Sequence, residues 1–218
     1  MITYKIHLIR TGKTGDGTSR RYVGQSDIPL CESGAAALNE LVRDYRYPKV
    51  EMVYTSPLTR CMQTAEIIYP GLYTVRAGGF VDMNLGEFEG KTFDELKDTA
   101  AFTGWLGDSV GSPPPGGEDA MSFTRRVIYA AGDIFETMME EGTTSVAVVT
   151  HGGVIMTLLA SICLPRAPIH HWAVDNGFGY TILMTPQMWM RDRAAEAFAL
   201  IPEPLGGYGG GEEISFFE

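Results

Sequence analysis

Short runs rich in β-branched residues alternate with longer amphipathic segments along this chain, and the alternation constrains its fold more than any other feature. Five runs have the composition of strands: residues 2–9, 51–54, 73–76, 145–150 and 180–184. Four segments have helical periodicity: residues 35–44, 58–68, 118–140 and 154–162. Strands that alternate with helices favour parallel pairing with helices on both faces of the sheet. We therefore predict an α/β fold with three layers and a mostly parallel sheet, in which residues 145–150 form a central strand.

The composition excludes several classes of partner. The chain has 17 Lys and Arg residues against 27 Asp and Glu residues, a formal net charge of −10. Such a surface repels phosphate backbones and anionic lipids, so we expect neither nucleic acid nor a membrane as a partner, while a local pocket for a small anion stays open. Cys31, Cys61 and Cys163 are widely spaced and odd in number. They exclude a disulfide scaffold and a cysteine zinc site, and they fit a cytoplasmic location.

The length of 218 residues fits a single domain, and no internal repeat is present. We assign residues 1–202 to that domain and residues 203–218 to a flexible tail, because residues 206–211 contain five glycines. The pair Ser56-Pro57 predicts the start of the second helix, as an N-cap followed by proline. The sequence predicts no cofactor and no metal site, and it leaves the oligomeric state open.

Three of the predicted strands are followed by residues suited to binding an anion. Arg10, Thr11 and Gly12 follow the first strand, Arg60 lies about one turn into the helix after the second, and His151 and Gly152 follow the strand at 145–150. In α/β sheets ligands bind at the carboxyl ends of the strands, where these residues meet. Arginine binds tetrahedral oxyanions with paired hydrogen bonds, and glycine lets backbone N–H groups approach. The sequence predicts a phosphate-sized anion pocket.

Each of these features alone also has a common structural explanation that involves no ligand. An arginine at a strand end is commonly a surface ion-pair partner, and a His-Gly pair is commonly a turn. Their convergence at one sheet edge favours the pocket. The other histidines have structural readings: His7 lies inside a buried strand, and His170 and His171 lie in a loop. We interpret Glu118 as an acidic residue that caps or stabilises the start of a helix, not as a catalytic group.

The blocks around these residues resemble the histidine phosphatase superfamily, also called phosphoglycerate mutase-like. The resemblance rests on residues 8–14, 21–34, 54–65, 82–90, 115–118 and 149–153, in the family's order. It implies a phosphoglycerate mutase-like fold. The mutases carry an Arg-His-Tyr-Gly stretch where this chain has Asn84-Leu85-Gly86, so the chain is more similar to the phosphatase branch, of the α-ribazole phosphatase type.

The resemblance also implies site residues: Thr11, Asp82 and His151 for catalysis, and Arg10, Arg60, His151 and Gly152 for phosphate binding. In the family a phosphoryl group passes to the histidine of an Arg-His-Gly signature and then to water, but here Thr11 occupies that position. A threonine ester resembles the substrate, so nothing drives the second step. Asp82 is one methylene shorter than the usual glutamate, and Gly17 replaces a frequent asparagine.

Two functions therefore remain open. The first is a phosphomonoester phosphatase that acts on a small phosphorylated metabolite with impaired catalysis, by slow attack of water assisted by His151 and Asp82. The second is a non-catalytic protein, a pseudophosphatase, that binds inorganic phosphate or a phosphorylated ligand. Both use the same anion pocket, because phosphoryl transfer depends mainly on positioning and charge.

Overall fold

The computed structural model describes residues 2–15 and 21–205. The strands are β1 (Tyr4–Arg10), β2 (Tyr45–Arg46), β3 (Met52–Thr55), β4 (Thr74–Arg76), β5 (Ser145–Thr150), β6 (Cys163–Leu164), β7 (Gly179–Met184), β8 (Ala195–Ile201) and β9 (Glu203–Pro204). The α-helices are α1 (Glu32–Asp44), α2 (Thr59–Ile68), α3 (Phe93–Leu96), α4 (Ala100–Gly107), α5 (Ala120–Glu141), α6 (Gly152–Ile162) and α7 (Pro186–Asp192). None of the helices in this part of the chain is long and apolar enough to cross a membrane.

The main sheet has the strand order β4-β3-β5-β1-β7-β8-β6. Strands β4, β3, β5 and β1 are parallel to one another, whereas β7 is antiparallel to both β1 and β8. The register pairs Arg10 with Thr150 and Thr55 with Val149, so the carboxyl ends of three neighbouring strands lie at one edge. The expected α/β class with a mostly parallel sheet is confirmed.

Helices cover both faces of the sheet because its central strand is apolar on both sides. Val146 and Val148 belong to the core cluster under α5 and α6, whereas Ala147 and Val149 belong to the cluster under α1 and α2. All four side chains have no exposed surface. A strand of this kind is stable only between two helical layers, as the sequence predicted.

Some boundaries differ from the prediction. Helix α2 begins at Thr59 after the extended residue Leu58, so the predicted cap at Ser56-Pro57 was wrong. The physical reason is that the hydroxyl of Ser56 contacts the ring of His151 at 2.8 Å. Strand β8 was not predicted, because its alanine-rich sequence alternates only weakly between apolar and polar residues.

The start of the predicted tail lies against the domain. Glu203 and Pro204 pair antiparallel with Arg46 and Tyr45, and the backbone N–H of Leu205 donates to the carbonyl of Asp44 at 2.9 Å. The rest of the predicted tail, residues 206–218, lies outside the described residues.

Candidate phosphate-binding site

Backbone hydrogen bonds join the three strand ends that carry the predicted site. The N–H of Thr11 donates to the carbonyl of Thr150 at 2.8 Å, and the N–H of Ser56 donates to the carbonyl of Val149 at 2.9 Å. The chain then enters α2 on one side and α6 on the other. The sheet thereby brings Arg10, Arg60 and His151 together, as their positions in the sequence predicted.

Arg60 is buried and held by three acceptors. Its Nη1 donates to the carbonyl of Ser26 at 2.8 Å, its Nη2 to the carbonyl of Gly24 at 2.7 Å, and its Nε to Nδ1 of His151 at 3.3 Å. A guanidinium has five N–H groups, so two remain for a ligand. The planar group is therefore oriented before any anion arrives.

His151 has a defined tautomer in this arrangement. Arginine Nε is always a donor, so Nδ1 of His151 must be the acceptor and Nε2 carries the proton. That N–H donates to the hydroxyl of Ser56 at 2.8 Å. Burial, together with the charges of Arg60 and Arg126, lowers the pKa of His151 to about 3. The imidazole is therefore neutral near pH 7.

Asp82 approaches the same histidine from the loop after β4. Its Oδ2 lies 3.7 Å from Nδ1 of His151, and its Oδ1 accepts from the backbone N–H of Met83 at 2.9 Å. Burial raises the pKa of Asp82 to about 6, although the bond from Met83 opposes the shift. The carboxyl group is therefore suited to donate a proton under mildly acidic conditions.

Thr11 is buried and has no activating base among the described residues. Its Oγ1 lies 3.2 Å from the hydroxyl of Thr64 and 3.4 Å from the carbonyl oxygen of Gly12. The hydroxyl of Thr64 already donates to the carbonyl of Arg60 at 2.7 Å and accepts from the N–H of Gly12 at 2.9 Å. Neither neighbour takes a proton readily, so the hydroxyl of Thr11 is a poor nucleophile.

Arg10 and Gly152 complete the predicted anion set. The Nη1 of Arg10 donates to the carbonyl of Val174. A Cβ atom at Gly152 would lie 3.2 Å from Nε of Arg10, so glycine at this position leaves room for the guanidinium. Gly152 is the first residue of α6, and the opening N–H groups of a helix lack acceptors within it. Such N–H groups are suited to bind an anion, and here they lie next to the guanidinium of Arg10.

Four residues that organise the site were not predicted from the sequence. Ser56 orients His151, Thr64 contacts Thr11, and the sulfur of Cys61 lies 3.5 Å from Nε2 of His151. Burial raises the pKa of Cys61 to about 12, so its thiol stays protonated.

Glu89 holds the loop that binds Arg60. Its carboxylate accepts from the N–H groups at positions 24 and 25 and from the hydroxyl at position 26. The only sequence signal for Glu89 was its place in residues 82–90, one of the blocks that resemble the histidine phosphatase superfamily.

The other candidates have structural positions. His7 is buried and bonded on both ring nitrogens, to Thr181 at 2.8 Å and Ser145 at 3.1 Å. Glu118 precedes α5 and pairs with Arg126 at 2.8 Å. Across the described ranges no cluster of three or more His, Cys, Asp or Glu side chains is suited to hold a metal. Gly17 lies outside the described residues.

Two curated relatives are similar to this chain over about three quarters of its length. A curated relative from Hydrogenobacter thermophilus, named "Putative phosphoserine phosphatase 2", is 29% identical over 164 residues, which cover 73% of this chain and 77% of the relative. A Yersinia pestis protein named "Probable phosphoglycerate mutase GpmB" is also 29% identical over 164 residues, covering 72% of this chain and 74% of that protein.

Solved structures agree on the fold. The α-ribazole phosphatase of Shigella flexneri superposes with a TM-score of 0.74 at 22% identity, covering 94% of this chain and 98% of that one. Phosphoglycerate mutase of Bacillus anthracis gives a TM-score of 0.71 at 22% identity, covering 94% and 93%. The model of the histidine phosphatase superfamily, branch 1, matches residues 6–195. The chain therefore belongs to the histidine phosphatase superfamily.

Proposed function

We propose that this protein binds the phosphoryl group of a small phosphorylated metabolite and hydrolyses it slowly. The observation that carries the proposal is the contrast at one sheet edge: the arginines and glycine predicted to bind an anion lie together, whereas the residue at position 11 has no activating base. Arg10, Arg60 and the start of α6 converge on one edge of the sheet. The hydroxyl of Thr11 lies beside another hydroxyl, a carbonyl and the protonated thiol of Cys61, and none of these is a base.

Residual turnover would use direct attack of water rather than a phosphorylated protein intermediate. The water oxygen forms the new bond to phosphorus while the bond to the leaving oxygen breaks. Arg10 and Arg60 stabilise the charge that develops on the phosphoryl oxygens. Protonated Asp82 donates a proton to the leaving oxygen, and the proton of the attacking water stays on the phosphate that forms. Neutral His151 assists by orienting Arg60, because its Nδ1 accepts from the guanidinium and its Nε2 already carries a proton. Without a covalent step the rate enhancement is small.

The alternative is a non-catalytic phosphate-binding protein, and one comparison favours keeping it. A phosphoserine phosphatase from Entamoeba histolytica, carrying a histidine-to-alanine replacement, was solved in complex with phosphoserine. Its TM-score is 0.70 at 22% identity, with 90% of this chain and 95% of that one covered. A protein of this fold thus holds a phosphorylated ligand with one histidine removed.

The decisive experiment compares phosphate release from an aryl phosphate by the natural chain and by its Thr11→His variant. We expect the variant to be faster by about three orders of magnitude or more, because loss of a nucleophile costs up to about six orders. Thr103→His, on the exposed side of α4, is the matched control and should leave turnover unchanged.

Three results would decide between the readings. Equal turnover by both chains would contradict impaired catalysis. Phosphate binding by calorimetry with no turnover of the natural chain would favour the non-catalytic protein. Absence of phosphate binding in both chains would contradict the pocket itself.

A further inference from the structure

The solvent-facing side of α5 carries an unusual row of residues at four-residue intervals. Met121, Arg125, Tyr129, Asp133 and Thr137 lie one above another along the helix. Met121 is 57% exposed and Tyr129 is 66% exposed. Together with the exposed Val110 they line one continuous surface, and contiguous exposed apolar patches commonly mark an interaction site.

Two clefts flank this row and share Tyr129. One cleft, of about 470 Å³, includes Met121 and Arg125 in its lining, together with the exposed Val110. The other, of about 450 Å³, includes Asp133, Thr137 and Val75 of the edge strand β4. Tyr129 is therefore a ridge between two concave surfaces, which is a shape that a second ridge can fill.

Arg125 and Asp133 have no partner among residues 2–15 and 21–205: each lies exposed and forms neither a side-chain hydrogen bond nor an ion pair there. The neighbouring Arg126, by contrast, is bonded to Glu118. Arg125 and Asp133 are eight residues apart, about 12 Å along the helix, which is too far for them to pair within one chain. Each lies four residues from Tyr129.

We propose that this face binds a second copy of the same chain about a two-fold axis at Tyr129. An antiparallel copy of α5 places Arg125 opposite Asp133 of the copy, and Asp133 opposite its Arg125. Met121 of one copy then faces Thr137 of the other copy. Each Tyr129 side chain enters the clefts of the other chain. Rows of four-residue spacing interdigitate in the commonest class of helix packing. The occupant is a second copy because the row is complementary to its own reversed sequence, as a two-fold interface requires.

The test measures the molecular mass of the full chain by sedimentation at about 1 to 100 μM protein. We expect a dimer for the natural chain. Arg125→Asp alone places two pairs of like charges across the axis, as does Asp133→Arg alone, and each should weaken the dimer by about tenfold or more. The sharpest arm mixes the two single variants, because a heterodimer of them restores both opposite-charge pairs. The double variant should likewise recover the dimer.

Arg43→Asp is the matched control, since Arg43 is an exposed helix arginine on α1, which packs on the opposite face of the sheet. Thermal unfolding of each variant verifies that it is folded. A natural chain that stays monomeric across the range would overturn the proposal. So would a dimer that neither charge reversal weakens, or single variants that fail to associate with each other when mixed.

Discussion

Arg10 and Arg60 differ in how far their guanidinium groups are already engaged. Arg60 donates three hydrogen bonds within the site, whereas within the described residues Arg10 donates one, to the carbonyl of Val174. We expect Arg10→Ala and Arg60→Ala each to weaken phosphate binding by about 1.5–3 kcal/mol, as expected for charged hydrogen bonds. Calorimetric titration with inorganic phosphate measures the loss, and Arg191→Ala on the surface of α7 is the control. Unchanged affinity in both site variants would rule out the pocket assignment.

Asp82 sets the pH dependence that this site should show. With a pKa of about 6, its carboxyl is protonated below that pH and can supply a proton to the leaving oxygen. Turnover of the Thr11→His variant should therefore decline as the pH rises through about 6. Adding Asp82→Asn should remove this limb of the pH profile. A profile that keeps the limb in the double variant would show that another group supplies the proton.

At the scale of elements, the loop at residues 24–26 links Glu89 to Arg60 through hydrogen bonds on both sides. The carboxylate of Glu89 accepts from the backbone N–H groups of Gly24, Gln25 and Leu85 and from the hydroxyl of Ser26. The carbonyls of the same loop hold the guanidinium of Arg60. Burial raises the pKa of Glu89, but the bonds from Ser26 and the loop backbone outweigh it and leave the pKa lowered. The carboxylate is therefore ionised and fully used by the loop.

Glu89→Gln should consequently loosen Arg60, because an amide nitrogen would face the N–H donors of the loop. We expect phosphate affinity to fall by about tenfold, the weight of one charged hydrogen bond. Glu87→Gln, on the exposed side of the same segment, is the matched control and should have no effect. In a double-mutant cycle with Arg60→Ala the two losses should not add. Full additivity would mean that Glu89 acts on the fold and not through Arg60.

Helix α5 contains a glycine whose replacement should be harmful despite helix propensity. A Cβ at Gly132 would lie 2.8 Å from the buried ring of Trp189 in α7. We expect Gly132→Ala to lower the free energy of unfolding by about 1–3 kcal/mol through overpacking. Gly104→Ala in α4 meets nothing closer than 3.5 Å and should stabilise the protein by up to about 1 kcal/mol. Denaturant unfolding distinguishes the two, and equal effects would contradict the argument.

At the scale of the whole molecule, buried neutral histidines link stability to pH. Burial, with a smaller effect of Lys5, lowers the pKa of His7 to about 4, and its ring bonds both Thr181 and Ser145. A lowered histidine pKa contributes stability that is present above about pH 6.5 and is lost as the pH falls toward 4. The shift corresponds to roughly 3 kcal/mol. The lowered pKa of His151 acts in the same direction, so it too makes the folded protein less stable as the pH falls.

Thermal unfolding between pH 7 and 4 tests this link. We expect the melting temperature of the natural chain to fall steadily on acidification, and His7→Gln to show a shallower fall, although it is less stable at pH 7. His170→Gln, in an exposed segment, is the control. An unchanged slope in the His7 variant would show that other groups govern the acid sensitivity.

Local patterns were sufficient for most of the fold and part of the site. The strands that carry Arg10 and His151 were predicted because β-branched runs bounded by glycine are a strong local signal. The start of α2 was mispredicted because the hydroxyl of Ser56 lies 2.8 Å from the ring of His151, a residue 95 positions away, and 3.4 Å from the N–H of Leu58. A contact between distant residues has no local sequence signal, so no reading of residues 56–59 would have shown it.

The sequence by itself determined the α/β class, the parallel centre of the sheet, and the convergence of Arg10, Arg60 and His151 at one edge. These follow from periodicity and from the rule that parallel strands end on the same side. Only the tertiary structure decided the tautomer of His151, the raised pKa of Asp82 and the role of Glu89 in holding Arg60. Each of these depends on burial and on hydrogen bonds between distant segments. Such properties belong to the packed molecule, because no segment of the chain possesses them alone.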